Sequence, residues 1–197
     1  MKKDNNYNKL IETGRKLVQQ NGVNFLTARK LSDASGCSIG AIYNQFSNMD
    51  NFVLIQNIIT LDELYQKLIS TPRTNNAYKN LNAYLDSFVD YVLSNKNLWY
   101  LLFKFHLEAN NNLPSIYLKK LAIVTKLWQK DFNHVFIKMT TKEKKLSSQV
   151  MWLSLFSLSS FLTTQSLDGL NRVNRKTVSK LLLNTYLAGL RSLNTKR

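Results

Sequence analysis

The sequence FLTARKLSDASGCSIGAIYNQF, residues 25–46, decides the predicted fold of this 197-residue chain. Thr27 can cap a short helix, because its hydroxyl can accept a hydrogen bond from a backbone N–H group in the first turn. Gly36 then permits the left-handed backbone of a tight turn, and Ser38 can cap a second short helix. Two short helices joined by a three-residue turn that contains Gly are typical of a helix-turn-helix unit.

The second short helix divides into an inner and an outer face. Ile42 and Phe46 are predicted to be core residues. In a helix-turn-helix unit the second helix enters the major groove of DNA. The residues expected to meet the edges of the bases there are Ile39, Ala41, Tyr43 and Asn44. An Asn can hydrogen-bond the edge of adenine and an apolar side chain can meet the thymine methyl group, so A·T-rich half-sites are favoured. Tyr43 and Thr27 have a competing interpretation as packing and capping residues.

Helical patterns continue on both sides of this segment. Before it, residues 5–21 place apolar side chains at helical spacing. The chain contains only 6 Gly and 2 Pro, and this scarcity of turn residues favours long helices over a hairpin-rich β fold. After the segment, six further helices are predicted over residues 48–70, 74–95, 97–109, 114–139, 142–166 and 174–194. The predicted fold class is therefore all-α, with about nine helices.

The same segment resembles the DNA-binding part of the TetR/AcrR family of bacterial transcriptional regulators, and the close likeness covers about residues 7–55. Seven residues fall on the family pattern: Gly22, Thr27, Gly36, Ser38, Gly40, Tyr43 and Phe46. Four residues depart from it: Ser35, Cys37, Gln45 and Met49 stand where Ala, Val, His and Lys are usual. The resemblance implies a three-helix helix-turn-helix DNA-binding domain, residues 1–48, and a larger helical ligand-sensing and dimerisation domain, residues 49–197.

The resemblance also implies roles in DNA binding. Arg29 corresponds to a residue that can reach a guanine or a phosphate. The hydroxyl and amide side chains of Thr27, Ser38 and Gln45 are expected to contact the DNA backbone and set the register without reading sequence. Met49 replaces a Lys that contacts the backbone, and we expect Lys2 and Lys3, in a flexible N-terminal arm, to compensate for the lost charge.

A homodimer is expected through residues 146–167 and 174–194, because in the family the last two long helices pair across a two-fold axis. Both segments carry more apolar residues than a solvated surface would. Two recognition helices would then read the two half-sites of a palindromic operator. The alternative is that both helices are simply core of the monomer.

Aromatic and polar side chains in the central helices are candidates for an effector site. The predicted ligand-binding residues are Trp99, Phe103, His106, Glu108, Trp128, Phe132 and Trp152. Together they could line an apolar pocket with a few polar groups, which suits a small lipophilic or aromatic effector. Each aromatic residue also has the simpler interpretation of a core residue. The predicted function is a dimeric repressor that leaves its operator when the effector binds.

The net charge of +15 fits a nucleic-acid partner but does not locate the site. Residues 1–50 hold seven basic and four acidic residues, and the other residues hold 20 and 8. Most of the excess positive charge therefore lies outside the predicted DNA-binding segment. A nonspecific basic protein that coats DNA is the alternative function that this distribution leaves open.

Other classes of protein are disfavoured by what the sequence lacks. Residues 146–167 carry no charge over 22 positions, but half of these positions are Ser, Thr or Gln, which argues against a membrane span. The start of the chain has no apolar stretch typical of a signal peptide, so we expect a cytoplasmic protein.

Catalytic motifs are absent, and two His and one Cys offer little for metal chemistry. We expect no enzyme activity, no metal and no cofactor.

Overall fold

The computed structural model describes residues 2–109, 112–136, 138–164 and 174–195. Within these residues the chain is all-α, as predicted, and forms nine α-helices and a short 3-10 turn, Val23–Phe25, after the first helix. The helices are α1 (Lys2–Asn21), α2 (Ala28–Ser35), α3 (Ile39–Phe46), α4 (Met49–Ile69), α5 (Ala77–Ser94), α6 (Lys96–Glu108), α7 (Ser115–Val135), α8 (Thr141–Thr164) and α9 (Arg175–Thr195).

Three helix ends differ from the predicted ends by three residues or more. The helix α1 begins at Lys2, so the backbone of Lys2 and Lys3 is helical and the predicted flexible arm is wrong. The helix α5 begins at residue 77 instead of 74, because the Asn76 side chain accepts a hydrogen bond from the N–H of residue 79 at 3.0 Å and caps the helix. The helix α7 ends at Val135 instead of residue 139.

A capping box fixes the start of α8. The Thr140 hydroxyl accepts from the Glu143 N–H at 3.3 Å, and the Glu143 carboxylate accepts from the Thr140 N–H at 2.9 Å. Thr140 is therefore the N-cap and α8 begins at Thr141, one residue before its predicted start.

The chain divides into two compact units, which we describe separately. The first contains residues 1–62 and 95–117, and the second contains residues 63–94 and 118–197. The predicted domain boundary after residue 48 coincides with the start of α4 and lies inside the first unit. As a functional boundary it stays a prediction.

The core of the first unit is built where α1, α2, α3 and α4 meet. Its buried residues are Leu10, Ile11, Leu31, Ile42, Phe46 and Phe52. The rings of Phe46 and Phe52 pack edge to face with centroids 4.8 Å apart. The Gln56 amide in α4 also donates to the carbonyl of Ile11 at 3.0 Å. These contacts hold α3 against α1 and α4, so its opposite face stays at the surface.

The second unit contains an ion pair between a buried carboxylate and an accessible guanidinium. Asp131 of α7 is only 1% exposed, and both of its oxygens accept hydrogen bonds from the Arg73 guanidinium, at 2.9 and 3.2 Å. The Asn80 amide donates to the same carboxylate at 3.2 Å. A buried carboxylate needs such partners, because burial otherwise favours its neutral form. The network joins the α4–α5 loop and α5 to α7.

A final observation concerns membranes. Among the helices in the described ranges, none combines the length and the apolar character needed to cross a bilayer.

Candidate DNA-binding site

The helix α2 begins and ends as the sequence predicts. The Thr27 hydroxyl accepts from the Lys30 N–H at 3.2 Å, and Thr27 has the extended backbone of an N-cap. At the other end Gly36 has φ +67° and its N–H donates to the Ser32 carbonyl at 2.9 Å. A residue with a side chain would be strained in this conformation, which explains why Gly stands there.

The turn between α2 and α3 has hydrogen bonds that the sequence did not indicate. The Ser32 hydroxyl donates to the Cys37 carbonyl at 2.7 Å, and the Cys37 N–H donates to the Ser35 hydroxyl at 3.2 Å. Ser35 is buried. The two departures from the family pattern in this turn are therefore accommodated, and the Ser35 hydroxyl satisfies a backbone group that Ala would leave without this partner.

The helix α3 presents a mixed polar and apolar face to solvent. The Ser38 hydroxyl accepts from the Ala41 N–H at 3.1 Å and fixes the first turn. Ile42 and Phe46 are buried, as predicted. On the outer side Ile39 and Tyr43, one turn apart, are 42% and 43% exposed.

The other predicted base-contact and backbone-contact residues of α3 lie further round the helix from Ile39 and Tyr43. Asn44 is exposed, and Ala41 and Gln45 are half-buried. A face of this kind can offer an amide, a phenol hydroxyl and apolar groups to the major groove of a duplex.

Met49 packs against the protein. It is half-buried and contacts the core of the first unit. The Asn48 side chain caps the same helix end by accepting from the Asn51 N–H at 2.8 Å. The sequence alone did not predict this apolar packing of Met49.

Basic side chains lie at the start of α2. Arg29 is exposed, as a DNA contact requires. Lys30 is also exposed, and its ammonium lies 4.5 Å from the centroid of the Phe25 ring. Sequence reasoning missed Lys30, although its position beside Arg29 in the first turn was a usable signal. The side chains of Lys2 and Lys3 lie outside the described part of the chain.

Four of the predicted effector residues lie in α6, in the first unit. Trp99 and Phe103 are buried, while Glu108 is exposed and pairs with Lys104 at 3.7 Å. His106 Nδ1 lies 2.9 Å from the Tyr117 hydroxyl. Burial lowers the pKa of His106, and a hydrogen bond with the Leu102 carbonyl opposes this shift only in part.

The other three predicted effector residues lie in the second unit. Trp128, Phe132 and Trp152 are all buried, and the Phe88 ring lies 6.5 and 5.5 Å from the two Trp rings. Among the described residues, no acceptor bonds the buried indole N–H of Trp128. The seven residues are thus divided between the two units. Their assignment to an effector stays a prediction.

The described residues gather no group of three His, Cys, Asp or Glu side chains that could hold a metal ion. The predicted contact residues on the α2–turn–α3 surface offer hydroxyl, amide and basic groups.

Comparisons with known proteins agree with this geometry. The family model described as bacterial regulatory proteins, tetR family, matches residues 10–54 and confirms the predicted resemblance over that segment. The sequence matches no curated protein. Among solved structures, a tetR-family transcriptional regulator from Streptomyces coelicolor is 14% identical, with a TM-score of 0.74 over 98% of this chain and 83% of that chain.

Two further solved structures are similar to this chain. The transcriptional regulator FadR from Bacillus subtilis, solved in complex with stearoyl-CoA, is 13% identical, with a TM-score of 0.71 over 93% of this chain and 98% of that one. The TetR family transcriptional regulator PfmR from Thermus thermophilus is 15% identical, with a TM-score of 0.62 over 91% and 97%. The fold of this chain is that of the tetR-family transcriptional regulators.

Proposed function

We propose that this chain, whose N-terminal segment matches the tetR family, is a sequence-specific transcriptional repressor. It binds a palindromic operator as a homodimer in the cytoplasm and leaves it when a small lipophilic or aromatic effector binds. The observation that carries the proposal is the pair of capped helices α2 and α3, with Ile39, Tyr43 and Asn44 exposed on the outer side of α3. The role is binding, not catalysis.

Each of the predicted contact residues has a role suited to its chemistry. Asn44 bonds an adenine edge, and Ile39 and Ala41 contact thymine methyl groups. Tyr43 and Gln45 contact the duplex beside them, while the capped ends of α2 and α3 and the guanidinium of Arg29 fix the register on the phosphates.

An exposed apolar face on α8 supports the homodimer. Leu146, Val150 and Leu153 recur at helical spacing, and Leu146 and Leu153 are 59% and 61% exposed. On α9, Leu181 is 67% exposed, and a Cβ on Gly189 would have no atom of the described chain within 4 Å apart from its chain neighbours and the adjacent backbone of its own helix. Large apolar side chains exposed together on one helix are typical of an interface. The predicted residues 165–167 of this surface lie outside the described part of the chain.

A buried donor supports an effector site among the aromatic residues of the second unit. The indole N–H of Trp128 is buried without an acceptor in the described chain, which costs about 1–3 kcal/mol. A ligand with an apolar body and one acceptor would remove that cost. The stearoyl-CoA bound by FadR from Bacillus subtilis is a lipophilic ligand in a protein of the same fold.

The central experiment is footprinting on the DNA that flanks the gene for this chain, with and without extract of the host cell. We expect protection of a palindrome and relief of the protection by the extract. Absence of any protected palindrome across the chromosome would contradict specific binding.

Variants then test the proposed base-contact residues of α3, Ile39, Ala41, Tyr43 and Asn44. Changing both Tyr43→Ala and Asn44→Ala should weaken operator binding at least 100-fold, because each good base contact contributes about 1–3 kcal/mol. The matched control changes two exposed polar residues on α4 and α7, Gln66→Ala and Asn133→Ala, and should bind normally. Unchanged affinity in the Tyr43 and Asn44 variant would overturn the assignment.

Salt dependence separates this function from that of a DNA-coating protein, which the charge of +15 keeps open. A repressor should bind its operator roughly 10³-fold or more tighter than random DNA at physiological salt. A coating protein would lose affinity for operator and random duplex together as salt rises.

A further inference from the structure

The first unit contains a cleft that the proposed DNA-binding face does not use. Its volume is about 450 Å³, which is within the usual range of about 300–1,000 Å³ for small-molecule sites. The walls come from the residues before α2, the first turns of α4, the second half of α6, and Ala109, Asn112 and Pro114 beyond it. The apolar lining includes Val23, Leu26, Val53, Leu54, Leu101 and Phe105.

Polar side chains surround this apolar lining. Asp50 and Asn51 come from α4, Lys104 and Glu108 from α6, and all four are accessible to solvent. The Lys104 ammonium lies 3.7 Å from the Glu108 carboxylate, and Asp50 adds a second carboxylate, so the lining carries two negative charges and one positive charge. A local excess of negative charge is unusual in a chain with a net charge of +15.

We propose that this cleft binds a small amphiphilic cation, a quaternary or protonated amine that carries an apolar tail. The tail would cover the half-buried Val23, Leu26 and Leu54, which the fold leaves partly in contact with water. The cationic head would lie near Asp50 and Glu108. An anionic head would meet two carboxylates and one ammonium that is already paired, so the charge pattern disfavours it.

The positive charge of the whole chain does not prevent this binding. At physiological ionic strength, charges more than about 8 Å apart in solvent are largely screened. The rim carboxylates act within the cleft itself. Of the predicted effector residues, only Glu108 lines this cleft, so the site is distinct from the aromatic cluster of the second unit.

The position of the cleft gives the ligand access to the DNA-binding helices. Leu26 directly precedes Thr27, the cap of α2, and Asp50 lies in the first turn of α4, just after α3. A bound cation would thus contact the segments at both ends of the α2–turn–α3 unit.

The test is calorimetric titration of the full chain with octyltrimethylammonium and, in parallel, octanesulfonate, which has the same tail and the opposite charge. We expect the cation to bind and the anion to bind at least tenfold more weakly. Shortening the tail of the cation by two methylenes should weaken binding about tenfold. Equal or tighter binding of the sulfonate, or no dependence on tail length, would overturn the proposal.

Variants locate the site. Glu108→Gln and Asp50→Asn should each weaken binding of the cation about three- to tenfold, since each removes one exposed attractive charge. The control Glu12→Gln changes an exposed acid on α1 outside the cleft and should bind as the unaltered chain does. Leu54→Trp should fill the cleft and weaken binding of the cation, whatever the length of its tail. If these three cleft variants bind normally, the cation occupies another site and the proposal fails. The titration contains no DNA, so its outcome is independent of the proposed repressor function.

Discussion

Ser47 holds a strained backbone at the turn between α3 and α4. Its φ is +65° and its ψ is −46°, and among the described residues it is the one non-glycine residue with positive φ. The N–H of Asn48 donates across it to the Phe46 carbonyl at 2.8 Å, which makes a tight three-residue turn. Such a conformation costs a side-chain-bearing residue about 1–3 kcal/mol.

We predict that Ser47→Gly stabilises the protein by roughly 0.5–1 kcal/mol. Relief of the strain exceeds the extra flexibility that Gly adds to the unfolded chain. Urea unfolding measures the change. Ser47→Ala keeps the Cβ and should gain nothing, so equal stabilisation by Ala would show that the backbone is not the cause.

Gly14 marks a close approach of α1 to α4. A Cβ at this position would lie 2.5 Å from Cζ of Phe52, a fully buried ring. We predict that Gly14→Ala destabilises the protein by about 1–3 kcal/mol through overpacking, even though Ala favours a helix. Gly40→Ala is the matched comparison, because its Cβ would meet only the Ser38 hydroxyl at 3.9 Å. Thermal unfolding should therefore show opposite shifts for the two variants.

The helix α3 depends on its N-cap, Ser38. The Ser38 hydroxyl satisfies the Ala41 N–H at 3.1 Å, and loss of an N-cap typically costs about 1 kcal/mol. Ser38→Ala should lose roughly that much stability and should also weaken operator binding, because α3 carries the proposed base-contact residues. Ser38→Thr retains the acceptor and should restore both in unfolding and gel-shift measurements. Failure of Thr to restore either would argue against the capping role.

The contact between α6 and the start of α7 predicts a pH dependence. Burial lowers the pKa of His106 below its ordinary value of 6.5, so the folded state prefers the neutral ring. Well above pH 6.5 the ring is neutral in both the folded and the unfolded chain, so the lowered pKa does not change the free energy of unfolding. Below it, the unfolded chain takes up a proton that the folded chain resists, so stability falls.

Urea unfolding at pH 7.5 and 5.5 measures this effect. His106→Gln should lose less stability on acidification than the unaltered chain, while His134→Gln, at an exposed position, should behave like the unaltered chain. Equal acid sensitivity in all three proteins would contradict the prediction.

Local chemistry explains which elements could be predicted. Thr27 and Ser38 act through their own first turns, and Gly36 through its own φ, so short windows of sequence suffice to identify the helix-turn-helix unit. The inward positions Ile42 and Phe46 follow from helical spacing.

Contacts between distant residues explain what could not be predicted. The positive φ of Ser47 follows no preference of serine; it is imposed where α3 and α4 both pack on one core. Met49 packs on that same core, a contact that also depends on where α3 and α4 meet. The pairing of Arg73 with Asp131 joins residues 58 positions apart, which no local pattern specifies. The apolar cleft beside Asp50 likewise arises only when separate helices meet.

The proposed homodimer predicts how operator binding depends on α8. A dimer presents two copies of α3 to two half-sites, so a protomer that cannot pair should lose most of its specific affinity. The exposed Leu153 lies on the proposed interface, and Leu107, 66% exposed on α6, is an equally exposed leucine outside it.

We predict that Leu153→Glu shifts the chain from dimer to monomer, because the symmetric interface would bury two unpaired carboxylates at a cost of several kcal/mol. Light scattering after gel filtration gives the mass, and gel shift gives the loss of operator affinity. Leu107→Glu adds the same charge and should remain dimeric and bind DNA. If the Leu153→Glu chain stays dimeric, the protomers pair through a different surface, and the apolar face of α8 needs another partner.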